Sequence, residues 1–253
     1  MESPPLAHRL ACFVRNKTRA GEKLASAWHR WMPPIPISKR FYGLKVCLNL
    51  RDGLLWLGSS AKAVEDGERF HEMLAGVKGM VWDVGCNVGL FSLLAASRGF
   101  KVVAFDISPV AIDLVQRSAQ ANRLNLETVC RAFSAAPYSY VPPQNADTRN
   151  APDRKAVGNT VESIPFSEAE AKFGIPAFIK VDIEHHEVAL LESAAFKNWI
   201  KTNHISLLVE LHHPDYMKLV WADIEHCMFD SGHVLFNPTP EHKAAIAASS
   251  QRV

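Results

Sequence analysis

The sequence predicts an α/β protein built on a doubly wound, mostly parallel sheet. Three observations carry that expectation. From about Leu44 to Leu211, short apolar runs alternate with helical stretches, the pattern of strands joined by crossover helices. The runs V-V-A-F and I-S-L-L-V are almost continuously apolar, as strands covered on both faces are. The stretch V-W-D-V-G-C-N-V-G, Val81–Gly89, reads as a strand, a tight turn and a helix start, a backbone shaped to hold a small ligand at a helix N-terminus.

In chain order, residues 1–40 form a basic extension with eight Lys/Arg against two Glu. Leu10, Phe13 and Val14 share one helical face, and Leu24, Trp28, Trp31 and Met32 share another. The favoured reading is a helix pair capping the main domain. The alternative is a basic amphipathic helix making peripheral membrane contact through residues 1–32. Met32–Ile37, M-P-P-I-P-I, reads as a linker or hard stop.

The main domain is expected over residues 44–240. Its candidate strands are Val46–Leu50, Leu54–Leu57, Met80–Val84, Val102–Phe105, Thr128–Phe133, Phe178–Ile183 and Ser206–Leu211. Helices are expected near Val64–Leu74, Leu90–Arg98, Pro109–Asn122, Ser167–Phe173 and His186–Phe196. Residues 137–160, rich in Pro, Asn and Asp, are an aperiodic loop expected to act as a lid or to be disordered. Residues 241–253 read as a tail.

Bulk properties exclude several classes. A net charge of +2 suits neither a nucleic-acid sponge nor an acidic solvating protein. The five cysteines form no C-x-x-C pair, so neither a zinc ribbon nor a disulfide framework is expected. With no signal-peptide core and no run of about 18 apolar residues, the expected compartment is cytoplasmic.

The turn at Gly85 has the spacing G-x-x-x-G, with Asn87 where a dinucleotide loop carries its middle glycine. That side chain hinders close approach of a diphosphate, which argues against a nicotinamide-dependent oxidoreductase. Asp106 ends the V-V-A-F strand, where an acid accepts bonds from ribose hydroxyls. Together these features point to an adenosine-type cofactor without a diphosphate, S-adenosylmethionine being the obvious candidate. The expected cofactor residues are Asp83, Gly85, Asn87, Gly89, Asp106 and Asp182, with Asp83 near the cofactor's ammonium group. The bland alternative makes Gly85–Gly89 a plain turn and Asp106 a helix cap.

A second cluster lies in F-I-K-V-D-I-E-H-H-E, Phe178–Glu187, which delivers Asp182, Glu184, His185, His186 and Glu187 at a strand end. The strand I-S-L-L-V-E-L-H-H-P delivers Glu210, His212 and His213. Burying so many ionisable groups is costly unless they bind something, although strand alternation sends some to solvent.

D-V-G-C-N-V-G-L-F-S, V-V-A-F-D-I-S-P, F-I-K-V-D-I-E-H-H-E and L-L-V-E-L-H resemble the FkbM family of S-adenosylmethionine-dependent methyltransferases, over roughly Gly79 to His213. The chain departs from that family's usual pattern at His185, where Gly is usual, and at Asp106, where Glu is usual. The resemblance implies a Rossmann-like methyltransferase fold and O-methylation of a sugar, glycan or polyketide-type hydroxyl by in-line transfer. The candidate bases are His185 and Glu184, with His212 next: an imidazole titrates near working pH, and the resemblance favours Glu184. It also implies two closing strands after Leu211. Only His233–Asn237 reads as one, so the last is expected to be missing or displaced into Ala244–Ala248. Asp182, Glu184, Glu210 and His212 suit a divalent metal such as Mg²⁺ as a variation. No N-P-P-Y or D-P-P-Y follows the V-D-I-E strand, which argues against N-methylation of bases, and no nucleic-acid partner is expected. The rival reading is a non-catalytic scaffold or partner subunit of the same fold.

Overall fold

The apolar run Val81–Val84 forms β3, the middle of the main sheet. The structure, a computed structural model, describes residues 35–49, 70–140, 160–183, 186–229 and 232–249. A hairpin of β1 (Pro36–Phe41) and β2 (Leu44–Asn49) precedes the sheet. Then follow β3, α1 (Leu90–Ser97), β4 (Val102–Asp106), α2 (Pro109–Asn122) and β5 (Glu127–Cys130). A small sheet contains β6 (Ala132–Ser134), β7 (Ser139–Tyr140) and β8 (Val161–Pro165). The second half runs α3 (Phe166–Phe173), β9 (Phe178–Val181), α4 (Glu187–Leu191), α5 (Ala194–Thr202) and β10 (Ser206–Glu210). After a short 3₁₀ turn, Pro214–Leu219, come β11 (His226–Met228), β12 (His233–Phe236) and α6 (Pro240–Ser249).

The main sheet has the order β11-β12-β10-β9-β3-β4-β5. The ladders β3–β4, β4–β5, β3–β9 and β9–β10 are parallel, whereas β12 is antiparallel to both β10 and β11. The chain winds outward from β3 through β4 to β5, then returns to lay β9 on the other side of β3. The strand order therefore reverses between β3 and β9, and in open α/β sheets a crevice opens at the carboxyl ends of such strands.

Strand alternation divides the core. Trp82, Val84, Ile179 and Val181 face a cluster with Phe166, Phe196 and Trp199 of α3 and α5. Val81 and Phe178 face the opposite cluster, with Leu90, Leu93 and Leu94 of α1. Asp83 shares the face of Val81, and Lys180 that of Phe178. Because Asp83 and Lys180 are register partners, a carboxylate and an ammonium lie side by side under α1.

The doubly wound architecture is as expected, and α2 has the expected limits: Ser108 caps it by accepting from Ala111 N, and a proline opens it. Several elements differ. The final strands are present: β12 inserts between β10 and β11, while Ala244–Ala248 lies within α6. The expected strand Thr128–Phe133 breaks at Arg131. Its first part joins the main sheet as β5, and its second pairs with β8, with the Arg131 guanidinium tied to Glu168 and the Ser163 carbonyl at the break. The expected helix His186–Phe196 divides at Ser193, which caps α5 through Phe196 N. Pro36 and Ile37, read as linker, begin β1, where a proline is tolerated at the start of a strand.

The ends of the 137–160 segment are drawn together by the pairing of Tyr140 with Val161. Residues 141–159 of the expected lid, residues 1–34 of the extension and the expected strand Leu54–Leu57 lie outside the described residues, as does 64–69 of the expected helix Val64–Leu74. No helix among the described residues is long and apolar enough to cross a membrane.

Candidate active site

The carboxyl ends of β3, β4, β9 and β10 lie along one edge of the sheet, and the ionisable groups gather there. The loop after β3 is held by β4: Gly85 N and Cys86 N both donate to the Phe105 carbonyl, at 2.9 and 3.0 Å. Gly85 has φ +78°, and a Cβ there would overlap the Asp182 carbonyl oxygen and lie 2.7 Å from its carbon. Glycine is needed because the backbone after β9 passes directly against the loop. Gly89 (φ +81°) is the N-cap residue of α1, and a Cβ there would meet Val115 Cγ2 of α2 at 2.6 Å.

Asp106 binds this loop. Its Oδ2 accepts from Asn87 N at 2.8 Å, which fixes Asn87 at φ +50°, and its Oδ1 accepts from Ser108 N at 2.9 Å. Burial pushes its carboxyl up to about 6, with the two amides opposing the rise. Asp106 is thus a bracket between two loops, while the cap of α2 is Ser108.

Under α1, Asp83 is fully buried. Ser92 Oγ donates to its Oδ2 at 2.5 Å, and Oδ1 makes no hydrogen bond among the described residues but lies 3.9 Å from Lys180 Nζ. The same ammonium donates to Asp182 Oδ2 at 3.1 Å and sits 4.6 Å from the centroid of the Phe91 ring. Burial raises the Asp83 carboxyl, with Lys180 and Ser92 opposing. For Lys180, burial works downward but the carboxylates of Asp182 and Asp83 outweigh it, so its ammonium is held above the usual range. For Asp182, burial works upward and is outweighed by Lys180, His212 and His233, so its carboxyl is held low.

Beyond Asp182 the network continues through His212. His212 Nε2 lies 3.5 Å from Asp182 Oδ1, and its Nδ1 lies 2.6 Å from Oε1 of the fully buried Glu187. The same Glu187 oxygen accepts from Ile183 N at 3.2 Å. Glu210 ends β10 and faces His233 across the antiparallel pair, with Oε2 to Nε2 at 3.5 Å. Asp182, Glu210 and His212 each offer one donor atom, all within 4.8 Å of one another.

The structure therefore brings together Asp83, Gly85, Asn87, Gly89, Asp106, Asp182, Glu210 and His212. Glu184 and His185, two of the three expected bases, lie outside the described residues. His213 is exposed and instead accepts from Asp215 N at the 3₁₀ turn. Sequence reasoning gave no role to Lys180, although a lysine inside the apolar run F-I-K-V, two residues before Asp182, is a signal that alternation makes readable. His233 had no local signal: it reaches the site because β12 is antiparallel, bringing its amino end to the edge where its neighbours end.

Residues 81–148 match the family model of a methyltransferase domain. Over 67 residues the chain is 34% identical to tRNA (uracil(54)-C(5))-methyltransferase of Pyrococcus horikoshii, covering 26% of this chain and 16% of that protein. Among solved structures, the Pyrococcus abyssi tRNA (uracil-54, C5)-methyltransferase in complex with S-adenosyl-L-homocysteine aligns with a TM-score of 0.45 at 15% identity, over 80% of this chain and 43% of that one. Monomeric WbdD aligns with a TM-score of 0.42 at 16% identity, over 70% of this chain and 40% of that one. The chain thus spans less than half the length of each of these proteins. Strand order, the reversal beside β3 and the matched domain agree: the chain has a Rossmann-like methyltransferase fold.

Proposed function

We propose that the chain is an S-adenosylmethionine-dependent methyltransferase that acts on a hydroxyl of a sugar, glycan or polyketide-type acceptor. The observation that carries this is the adjacency, at one strand edge, of the Asp83–Gly89 loop bracketed by Asp106 and the cluster of Asp182, Glu210 and His212. Each Asp106 oxygen has a second lone pair beyond the one given to a backbone amide, and these suit ribose hydroxyls.

Methyl transfer from a sulfonium needs the acceptor oxygen held in line, about 3–3.5 Å from the methyl carbon. An alcohol must also shed its proton as it attacks. His212 is the described side chain fitted to promote that loss. Its Nδ1 lies against Glu187 Oε1 and its Nε2 is the ring nitrogen directed toward Asp182, so a neutral ring that keeps its proton on Nδ1 would present Nε2 as the basic atom.

Calorimetric titration with S-adenosylhomocysteine tests the cofactor. Micromolar binding is expected, lost in Asp106→Ala with the fold intact by circular dichroism. Absence of binding to the folded wild type removes this reading and favours the non-catalytic scaffold.

The elevated Asp106 carboxyl gives a pH signature. Below about 6 the group takes up a proton, and the dissociation constant for S-adenosylhomocysteine is expected to rise toward tenfold per pH unit. Stability runs the other way. The folded chain holds this proton more tightly than the unfolded chain, whose aspartates titrate near about 4. The group's stabilising contribution is therefore full below about 4 and is lost as pH rises through about 6. Flat binding between pH 5 and 7 would remove Asp106 from the cofactor site.

A further inference from the structure

Resting on that reading, we propose that Asp182, Glu210 and His212 hold a divalent transition-metal cation, and that His212 promotes loss of the acceptor's proton as a ligand of this cation. Three observations converge on a cation at that point. His212 is clamped between two carboxyl groups, with Nδ1 2.6 Å from Glu187 Oε1 and Nε2 3.5 Å from Asp182 Oδ1, so Nε2 is the nitrogen directed at the cluster. A positive charge at Nε2, whether a proton or a metal cation, is what draws this ring and this carboxylate together.

The charge balance points the same way. Among the described residues, Asp83 and Asp182 flank Lys180, Asp182 and Glu187 flank His212, and Glu210 faces His233, so four carboxyl groups share three basic side chains. Glu187 is fully buried, and its Oε2 has no hydrogen-bond partner among the described residues. Its Oε1 contacts the His212 ring, and a cation on Nε2 polarises that ring much as protonation would. Carboxylate, histidine and metal in a row is a recurrent way to fix a ligand's tautomer.

The spacing is suitable. Metal–ligand bonds of about 2.0–2.2 Å place donors at most about 4.4 Å apart, so a set already within 4.8 Å closes by small side-chain shifts. Two carboxylates and an imidazole form a mixed oxygen and nitrogen set that suits Mn²⁺, Fe²⁺ or Zn²⁺ better than Mg²⁺ or Ca²⁺. Three protein ligands leave positions for water and for an acceptor oxygen. That oxygen, once bound, releases its proton to solvent. Its lone pair forms the new bond to the methyl carbon as the carbon–sulfur bond breaks, and the bonding pair stays on sulfur as a thioether.

The test is calorimetric titration of chelator-stripped full chain with Mn²⁺, alongside S-adenosylhomocysteine on the same preparation. One Mn²⁺ site of micromolar affinity is expected. Glu210→Gln and His212→Ala should each weaken it at least tenfold, and Glu187→Gln, which keeps an acceptor for Nδ1, by about tenfold. His213→Ala, at an exposed position, should leave it unchanged. Mn²⁺ binding that is absent, or that survives Glu210→Gln and His212→Ala in folded protein, overturns the cation. S-adenosylhomocysteine binding without Mn²⁺ binding overturns it too, while the cofactor reading stands with His212 taking the proton itself. Mn²⁺ binding without S-adenosylhomocysteine binding keeps the cation and removes the cofactor reading.

Discussion

Gly85→Ala is expected to destabilise the protein by about 4 kcal/mol or more and to abolish cofactor binding. A left-handed backbone costs an L-residue about 1–2 kcal/mol, and here φ is +78°. The larger penalty is steric. The new Cβ would overlap the Asp182 carbonyl, main chain fixed on one side by the β3–β9 ladder and by Asp182 N donating to the Val84 carbonyl at 3.0 Å. At Gly89 the obstacle is the Val115 side chain, which can move more readily than main chain. Gly89→Ala should therefore cost clearly less. Urea unfolding of both variants checks the ranking, and equal losses would show that the approach of Asp182 to Gly85 is not what constrains the loop.

Lys180→Met is expected to cost about 3–5 kcal/mol near neutral pH, the usual loss when one partner of a buried charge network is removed. Lys180 is 3% exposed and touches both Asp83 and Asp182. Without it, both carboxyls rise. The folded variant then gains protons that the unfolded chain lacks, and its stability climbs as the medium becomes acidic. In the wild type, Asp182 is held low, so its contribution is present above the unfolded value and is lost as pH falls through the folded one. The gap between the two proteins should narrow from pH 8 to pH 5, and adding Asp83→Asn to Lys180→Met should recover part of the loss. A gap constant across that range would mean that Lys180 acts by packing under Phe91 rather than by charge.

The sequence was most readable where one local rule decides the structure. The limits of α2 follow from a serine cap and a proline, and β3, β4, β9 and β10 from apolar runs buried on both faces. Legibility failed where distant pairing decides. Nothing near Arg131 announces that β5 and β6 serve different sheets, because the break depends on Glu168 and Ser163. The three-residue β11 is too short to give a period. In the site, Asp83, Asp182, Glu210 and His212 were readable as strand-end residues. The pairing of Asp83 with Lys180 needed the register of β3 against β9, and His233 needed the direction of β12.

The reversal of strand order between β3 and β9 also governs when the pocket can form. β3 meets β4 after one short crossover, a low-cost closure, whereas β9 comes from far along the chain and must wait for a much larger loop to close. Gly85 and Asp106 belong to the early pairing, and Lys180, Asp182 and His212 to the late one. A refolding intermediate that has zipped only β3 to β4 thus contains the glycine turn and its aspartate bracket but lacks the wall they face. Ligand capture during refolding should lag behind the gain of helical signal, with the joining of β3 to β9 as the event that sets its rate.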